Sequence, residues 1–392
     1  MRFGLDLPPQ MRVYGAFFVY SLGLGGLYSR LGDIQLAMGV EEGALGAALI
    51  GGGIGTFISL TFASPLLERI GFRPTLTAGI VSLSGLIALA SFSVSPLMLF
   101  AILLFNGLAI GAIEVVINVE ADRTEHAIGR RVMNRSHAFW SFGFFLAGLI
   151  GAGAKQAGLS PQLHLMLIVP LVVVATILLL GRFSPAAART SKAAERRPKF
   201  AAPTLGIMIL VTFTLSSMLL EGAGADWSVI YMRDVFNALP FVNGLAFAAG
   251  ALAQALARYF ADGYVERYGP LAIARGSVGL MMAGGLLVTF APHPAIALFG
   301  FALVGAGTST IFPLAMSAAA QRSDRAAAIN VAALAQMSFV AFLVGPPLLG
   351  FVAEHFGVRM SFALCLPLVV VSWFAARALL RPPLMQAQPG HA

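Results

Sequence analysis

The four residues Glu68-Arg69-Ile70-Gly71 return 198 residues later as Glu266-Arg267-Tyr268-Gly269, and each copy closes the second long apolar run of its half. A chain duplicated at that spacing folds as two similar units, and the runs dictate what those units are made of. Each run is about 20 residues long, the length that crosses a hydrocarbon core as a helix. They are continuous, not the alternating ~10-residue segments of barrel strands, so helices are expected.

Twelve runs are read, at 12–31, 43–67, 74–91, 97–120, 136–157 and 163–182, then 203–223, 240–262, 271–290, 294–318, 327–353 and 358–380. The predicted fold is an all-α membrane protein with twelve transmembrane helices in two pseudo-symmetric six-helix bundles. The longest polar stretch, Gly181 to Pro203, is basic and rich in Ala, Ser and Pro. It divides the chain into an N-terminal bundle (1–182), a cytoplasmic linker (183–202) and a C-terminal bundle (203–392).

Composition agrees with a bilayer protein: 58% of residues are hydrophobic, only 11% are charged, and mean hydropathy is +0.85. The net charge of +8 points to topology and not to nucleic acid once its carriers are sorted by connection. Arg30, Lys155, Arg233 and Arg359 fall in odd connections, and the remaining Lys and Arg, Arg258 among them, are assigned to even connections and the tails. That asymmetry predicts both termini in the cytoplasm, and therefore an even span count. Arg2, the Pro8-Pro9 pair and the lack of a small-residue cleavage site predict a retained first span, not a signal peptide. The single cysteine, Cys365, lies in an apolar run and excludes a disulfide framework or thiolate metal cluster.

The duplication extends beyond the signature. Gly51-Gly52-Gly53 aligns with Ala249-Gly250-Ala251, Gly107-x-x-x-Gly111 overlays the Gly305-x-Gly307 stretch, and Gly151 to Gly158 resembles Gly350 to Gly357. Parallel halves related by an axis along the membrane normal follow. Gly43, Ala47, Gly51 and Gly55 recur every fourth position in span two, predicting a flat stripe for close helix approach.

The stretch Ser64-Pro65-Leu66-Leu67-Glu68-Arg69-Ile70-Gly71-Phe72-Arg73 resembles the loop 2-3 signature of the major facilitator superfamily, with Ser64, Glu68 and Phe72 as departures. Glu114-Val-Val-Ile-Asn118, followed by Asn134-Arg-Ser-His137-Ala-Phe-Trp140, resembles the span-four to span-five region of fucose-permease-like sugar:proton symporters. Glu221 to Ser228 resembles a span-seven exit in a bacterial branch of that group. The resemblance implies alternating access by two rocking bundles, with an acidic residue of span four carrying a proton.

Ionisable groups inside a bilayer cost about 2.5–3.5 kcal/mol or more, so each one demands an explanation. Glu114, with Asn118 one turn on, is the expected proton-coupling carboxylate, or else a structural carboxylate paired with an Arg of loop 4-5. Glu221, Asp226 and Trp227 are expected where span seven reaches the outside, softened by Gly222 and Gly224, as a substrate-binding rim or a solvated loop with an interfacial indole. His137, expected as a solute-binding and titratable group or else as a histidine bonding a backbone group at the cytoplasmic rim, shares a face of span five with Trp140, with Ser136 as the expected N-cap. Gln254 and Gln336 are mid-span amides for a polar solute or for helix-to-helix bonding. Arg30, with Asp33 and Gln35, is read as half of an exterior salt bridge. The expected cytoplasmic gate comprises Glu68, Arg69, Gly71, Arg73, Glu266, Arg267 and Gly269. The signature's carboxylate and cations can latch onto a neighbouring helix terminus in one state and release it in the other.

No phosphate-binding Gly-x-x-x-x-Gly-Lys loop and no His-Glu-x-x-His motif occurs, so neither an ATP-driven pump nor an intramembrane metalloprotease is expected. The sequence reading is a non-enzymatic, cofactor-free and metal-free secondary transporter of an inner membrane. It is expected as a monomer that couples protons to uptake of a small polar solute such as a sugar or polyol. Proton-coupled efflux of amphiphiles is the same-fold alternative, and a non-transporting membrane sensor is the alternative of another class.

Overall fold

The computed structural model describes residues 4–63, 67, 69–187 and 202–380. Among them every regular element is helical, and twelve long helices follow in order. The first six are α1 (Pro9–Met38), α2 (Glu42–Phe62), α3 (Phe72–Ala90), α4 (Pro96–Ile128), α5 (Met133–Gln156) and α6 (Pro161–Leu180). The second six are α7 (Leu205–Phe236), α8 (Pro240–Tyr268), α9 (Pro270–Phe290), α10 (Pro294–Ala320), α11 (Ala327–Phe356) and α12 (Val358–Leu379).

Local chemistry places the ends. Proline, whose missing N–H costs nothing in a first turn, opens α1, α4, α6, α8, α9 and α10. Ser95 and Ser160 accept the amides of Met98 and Leu163 as N-caps. Gly39, Gly129 and Asn237 close α1, α4 and α7 in the left-handed conformation.

Eleven of the twelve helices are long and apolar enough to cross a membrane. The remaining one, α1, is 30 residues long but is diluted by glycine, serine, tyrosine and Arg30. It is also among the most deeply buried, with Phe17, Val19, Tyr20, Leu31 and Ile34 shielded on all sides. A helix enclosed by other helices need not be lipid-soluble.

The duplicated glycines turn out to be paired contacts. A Cβ on Gly107 of α4 would lie 2.2 Å from the Gly52 carbonyl oxygen of α2, and one on Gly305 of α10 would lie 2.0 Å from that of Gly250 of α8. Both pairs carry the same 198-residue offset, so each half brings its second and fourth helices to backbone contact at the same place. Gly71 and Gly269 match in the same way, with φ of 90° and 80° and ψ of 155° and 159°, the turn into the third helix of each half.

The seam between the halves is made by α5 against α8, α2 against α11, and α1 against α7 and α8. The expected single stripe on α2 is split. Gly43 of the stripe faces Glu354 on α11, as Gly46 outside it faces Pro346, whereas Gly51 and Gly55 face Phe100 and Leu104 on α4. Steps of four residues drift about 40° around a 3.6-residue helix, so the stripe winds from one neighbour to the next.

Several sequence boundaries are corrected. The fourth run continues to Ile128 and the seventh to Phe236, because their polar ends stay inside the packed bundle. Ser136 is not an N-cap: α5 starts at Met133, and the Ser136 hydroxyl donates back to the Val132 carbonyl. Glu68 and most of the linker, 188–201, lie outside the described residues.

Candidate functional site

Polar side chains from both halves meet at the seam around one arginine. Arg258 of α8 donates from Nη1 to the Ser141 hydroxyl of α5 at 3.0 Å and pairs through Nη2 with Glu221 of α7 at 3.4 Å. Its Nε donates to the Ser309 carbonyl at 3.3 Å, and its guanidinium carbon stands 5.7 Å from the Trp140 ring centroid. Ser309 is able to accept because α10 breaks between Thr308 and Ile311, which frees carbonyls from the helical ladder. Gln254, one turn before Arg258, accepts from Ser141 at 3.0 Å and donates to Thr308 at 3.3 Å. The Arg258 and Glu221 side chains keep 11% and 22% exposure, so the cluster is not fully sealed in the core.

Arg258 corrects the sequence reading directly. Counted there with the cytoplasmic connections, it lies ten residues before the Tyr268 end of α8, about 15 Å inside the helix. The signal was present, since 258 falls inside the eighth run as drawn. Sorting charges by loop concealed it. Ser141, Thr308 and Ser309 were missed because isolated hydroxyls carry no pattern.

A second cluster lies within the first half. The Asn118 amide donates to the Glu114 carboxylate at 2.8 Å and to the Glu114 backbone carbonyl at 2.9 Å, one turn apart on α4. Tyr20 of α1 stands beside the same carboxylate. No arginine of loop 4-5 is paired with Glu114 among the described residues, and the bonds it makes are to neutral groups.

An aromatic layer lies between these clusters and the end of the seam where α1 meets α7. Tyr28 packs 5.7 Å from Phe144 and 5.6 Å from Phe247, and Trp140 meets Phe144 edge-on at 4.3 Å. The end itself is closed by polar contacts between halves. Arg233 donates to the Gly32 carbonyl at 3.0 Å and to the Gln35 side chain at 2.9 Å, and Gly43 donates to Glu354 at 2.9 Å. Arg30 forms the expected local bridge to Asp33 at 3.3 Å, and Asp33 also pairs with Lys155 at 2.5 Å.

The expected rim at span seven is not formed. Gly222 and Gly224 lie in unbroken helix, Trp227 is fully buried, and Asp226 is 9% exposed beside Met218, Gly222, Phe342 and Gly345. Trp227 therefore presents no open ring face, and of the expected trio only Glu221 joins the central cluster. His137 packs edge-on to Phe17 at 5.0 Å. Gln336 is half-buried on α11. Glu120, not singled out in the sequence, is buried on α4 and accepts the Ala186 amide at 2.7 Å, anchoring the start of the connecting segment.

At the opposite end, Arg131 reaches across the seam to Glu266 at 2.9 Å and to Asp262 at 3.4 Å, and Asn134 also bonds Asp262. Arg73 instead ties α3 to the Gly181 carbonyl within its own half, Arg267 stacks locally on Tyr268 at 5.2 Å, and Arg69 is exposed. Among the described residues, Glu266 is the member of the expected gate that contacts the other half.

Twelve helices, glycine-paired halves and a polar cluster on the seam define a polytopic membrane transporter. Residues 209–391 match the family described as Major Facilitator Superfamily. An uncharacterized MFS-type transporter of Yersinia pestis is 28% identical over 368 residues, covering 93% of this chain and 94% of the relative. The membrane protein MosC of Rhizobium meliloti is 27% identical over 346 residues, covering 87% and 83%. Among solved structures, the nucleoside transporter NupG superposes with a TM-score of 0.70 at 14% identity, covering 95% of this chain and 99% of that one. The E. coli fucose:proton symporter FucP superposes at 0.62 and 16% identity, covering 95% and 99%. Over residues 209–391 the chain matches the Major Facilitator Superfamily, and that match together with the relatives indicates a transporter, not an enzyme.

Proposed function

We propose that this protein moves a small polar solute, of the sugar, polyol or nucleoside kind, across the inner membrane by alternating access, together with protons. The two bundles, 1–182 and 203–392, rock about the α5–α8 and α2–α11 contacts, with both termini in the cytoplasm. The observation that carries the reading is Arg258, which binds Ser141 in one half and Glu221 in the other and stays partly exposed. Hydrogen-bonding groups exposed inside an apolar protein serve a solute that must shed its water and find replacements.

Glu114 is the proposed proton site. It faces Tyr20 and Asn118 and has no cation partner among the described residues, so its ionised form is expensive unless water enters. Gaining or losing a proton then changes which bundle orientation is favoured. Asn118, Gln254 and Glu221 are the proposed solute contacts, with Asp226, Gln336 and His137 further out. Two proteins of similar fold, a nucleoside transporter and a fucose:proton symporter, support the solute class.

Proteoliposome uptake tests this. Adding sugars, polyols or nucleosides to vesicles holding a pH dye identifies the solute by acidification of the lumen. Glu114→Gln is expected to abolish accumulation against a gradient while leaving counterflow. A Glu114→Gln protein that still concentrates solute would overturn the proton site.

A further inference from the structure

A groove of about 480 Å³ runs along the outside of the second half between α9 and α12, far from the seam. Its walls are apolar, with Val278, Met282 and Leu286 on one side and Val370 and Phe374 on the other. Val370 is 48% exposed and Phe374 63%, so nothing among the described residues covers it.

One glycine on this face has no packing reason to be glycine. A Cβ on Gly279 would meet nothing within 4 Å, whereas on Gly284 of the same helix it would lie 2.6 Å from the Gly300 carbonyl oxygen. Gly284 lets α10 approach. Gly279 instead leaves the groove wide.

At the end of the groove nearest the Glu266–Gly269 turn stands Arg275, its guanidinium carbon 5.5 Å from the Trp373 ring centroid. Its Nε is buried and finds no acceptor among the described residues, and no carboxylate there pairs with it. A cation without a carboxylate partner among the described residues, set one turn inside a helix start beside an apolar channel, matches a phosphate joined to a hydrocarbon chain.

We propose that the α9–α12 groove binds one anionic glycerophospholipid, with an acyl chain along Val278, Met282 and Phe374 and the phosphate at Arg275. The site is independent of the solute and of proton coupling.

Trp373 supplies the readout because it is exposed on this face, whereas Trp227 is fully buried and Trp140 sits at the seam beneath Arg258. Purified protein is placed in phosphatidylcholine bilayers doped with either brominated phosphatidylglycerol or brominated phosphatidylcholine at the same low fraction, and tryptophan quenching is compared. Brominated phosphatidylglycerol is expected to be favoured roughly fivefold, the weight of one basic side chain near an anionic surface. Arg275→Gln and Gly279→Leu should each remove the preference, and Arg275→Lys should keep part of it. Quenching by brominated phosphatidylcholine stays constant in variants that remain folded, which separates loss of the site from loss of the protein. Equal quenching by the two lipids, a preference that survives Arg275→Gln, or competition by inorganic phosphate would each overturn the proposal.

Discussion

Arg258 and Ser141 join the two halves of the molecule, the guanidinium of α8 donating to the hydroxyl of α5 at 3.0 Å. The same guanidinium holds Glu221 at 3.4 Å, so one side chain ties a contact across the seam to a contact within the second half. Removing it leaves Glu221 without a cation. Arg258→Gln is expected to cost about 2 kcal/mol of stability, less than for a fully buried pair because both groups keep some exposure. Uptake should fall at least about tenfold. Arg258→Gln combined with Glu221→Gln should recover most of the melting temperature but not the uptake, and a double variant as unstable as the single one would show that the pair is not what Arg258 stabilises.

The glycine pairs make a prediction with opposite signs at nearby sites. Gly107→Ala and Gly305→Ala each push a methyl group into a carbonyl on the facing helix and should destabilise by about 1–3 kcal/mol. Gly85→Ala on α3 meets nothing within 4 Å and should stabilise by up to about 1 kcal/mol through helix propensity alone. Thermal melts of the three variants in one detergent check the contrast.

Asp226 is buried in α7 and makes no hydrogen bond or ion pair among the described residues. A charge held there without a partner costs about 2.5–3.5 kcal/mol. Asp226→Asn is therefore expected to raise the melting temperature. A fall would reveal a partner for the carboxylate.

Asp324, in the connection between α10 and α11, titrates below the ordinary carboxylate range. Its partial burial acts upward but is outweighed by hydrogen bonds from Asn330 at 2.8 Å and Thr204 at 2.9 Å and by the nearby Arg322 charge. A lowered carboxylate pKa in the folded state contributes stability that is full above the unfolded value of about 3.9 and is lost as pH falls through the folded one. The melting-temperature gap between the native protein and Asp324→Asn should shrink as pH drops below about 4. A gap independent of pH would mean that the carboxylate's charge is not what these bonds stabilise.

The apolar runs and the repeated Glu-Arg-x-Gly determined the helices, their number and the duplication, because crossing a bilayer leaves a chain few alternatives to an uninterrupted helix. The glycines were legible as a repeat, but that Gly52 meets Gly107 and Gly250 meets Gly305 was shown only by the packing: a backbone contact between two helices tolerates no side chain. Depth along a helix and the direction in which each polar group points were decided only by packing. Trp227 looked like a surface indole and is enclosed, Arg258 looked like a loop cation and holds the seam, and Glu114 gained Tyr20 from a helix some 90 residues earlier in sequence. Hydropathy measures what a residue costs in lipid. It carries no record of a partner on another helix, and in the interior of this protein the partner decides whether a polar side chain is structural or functional.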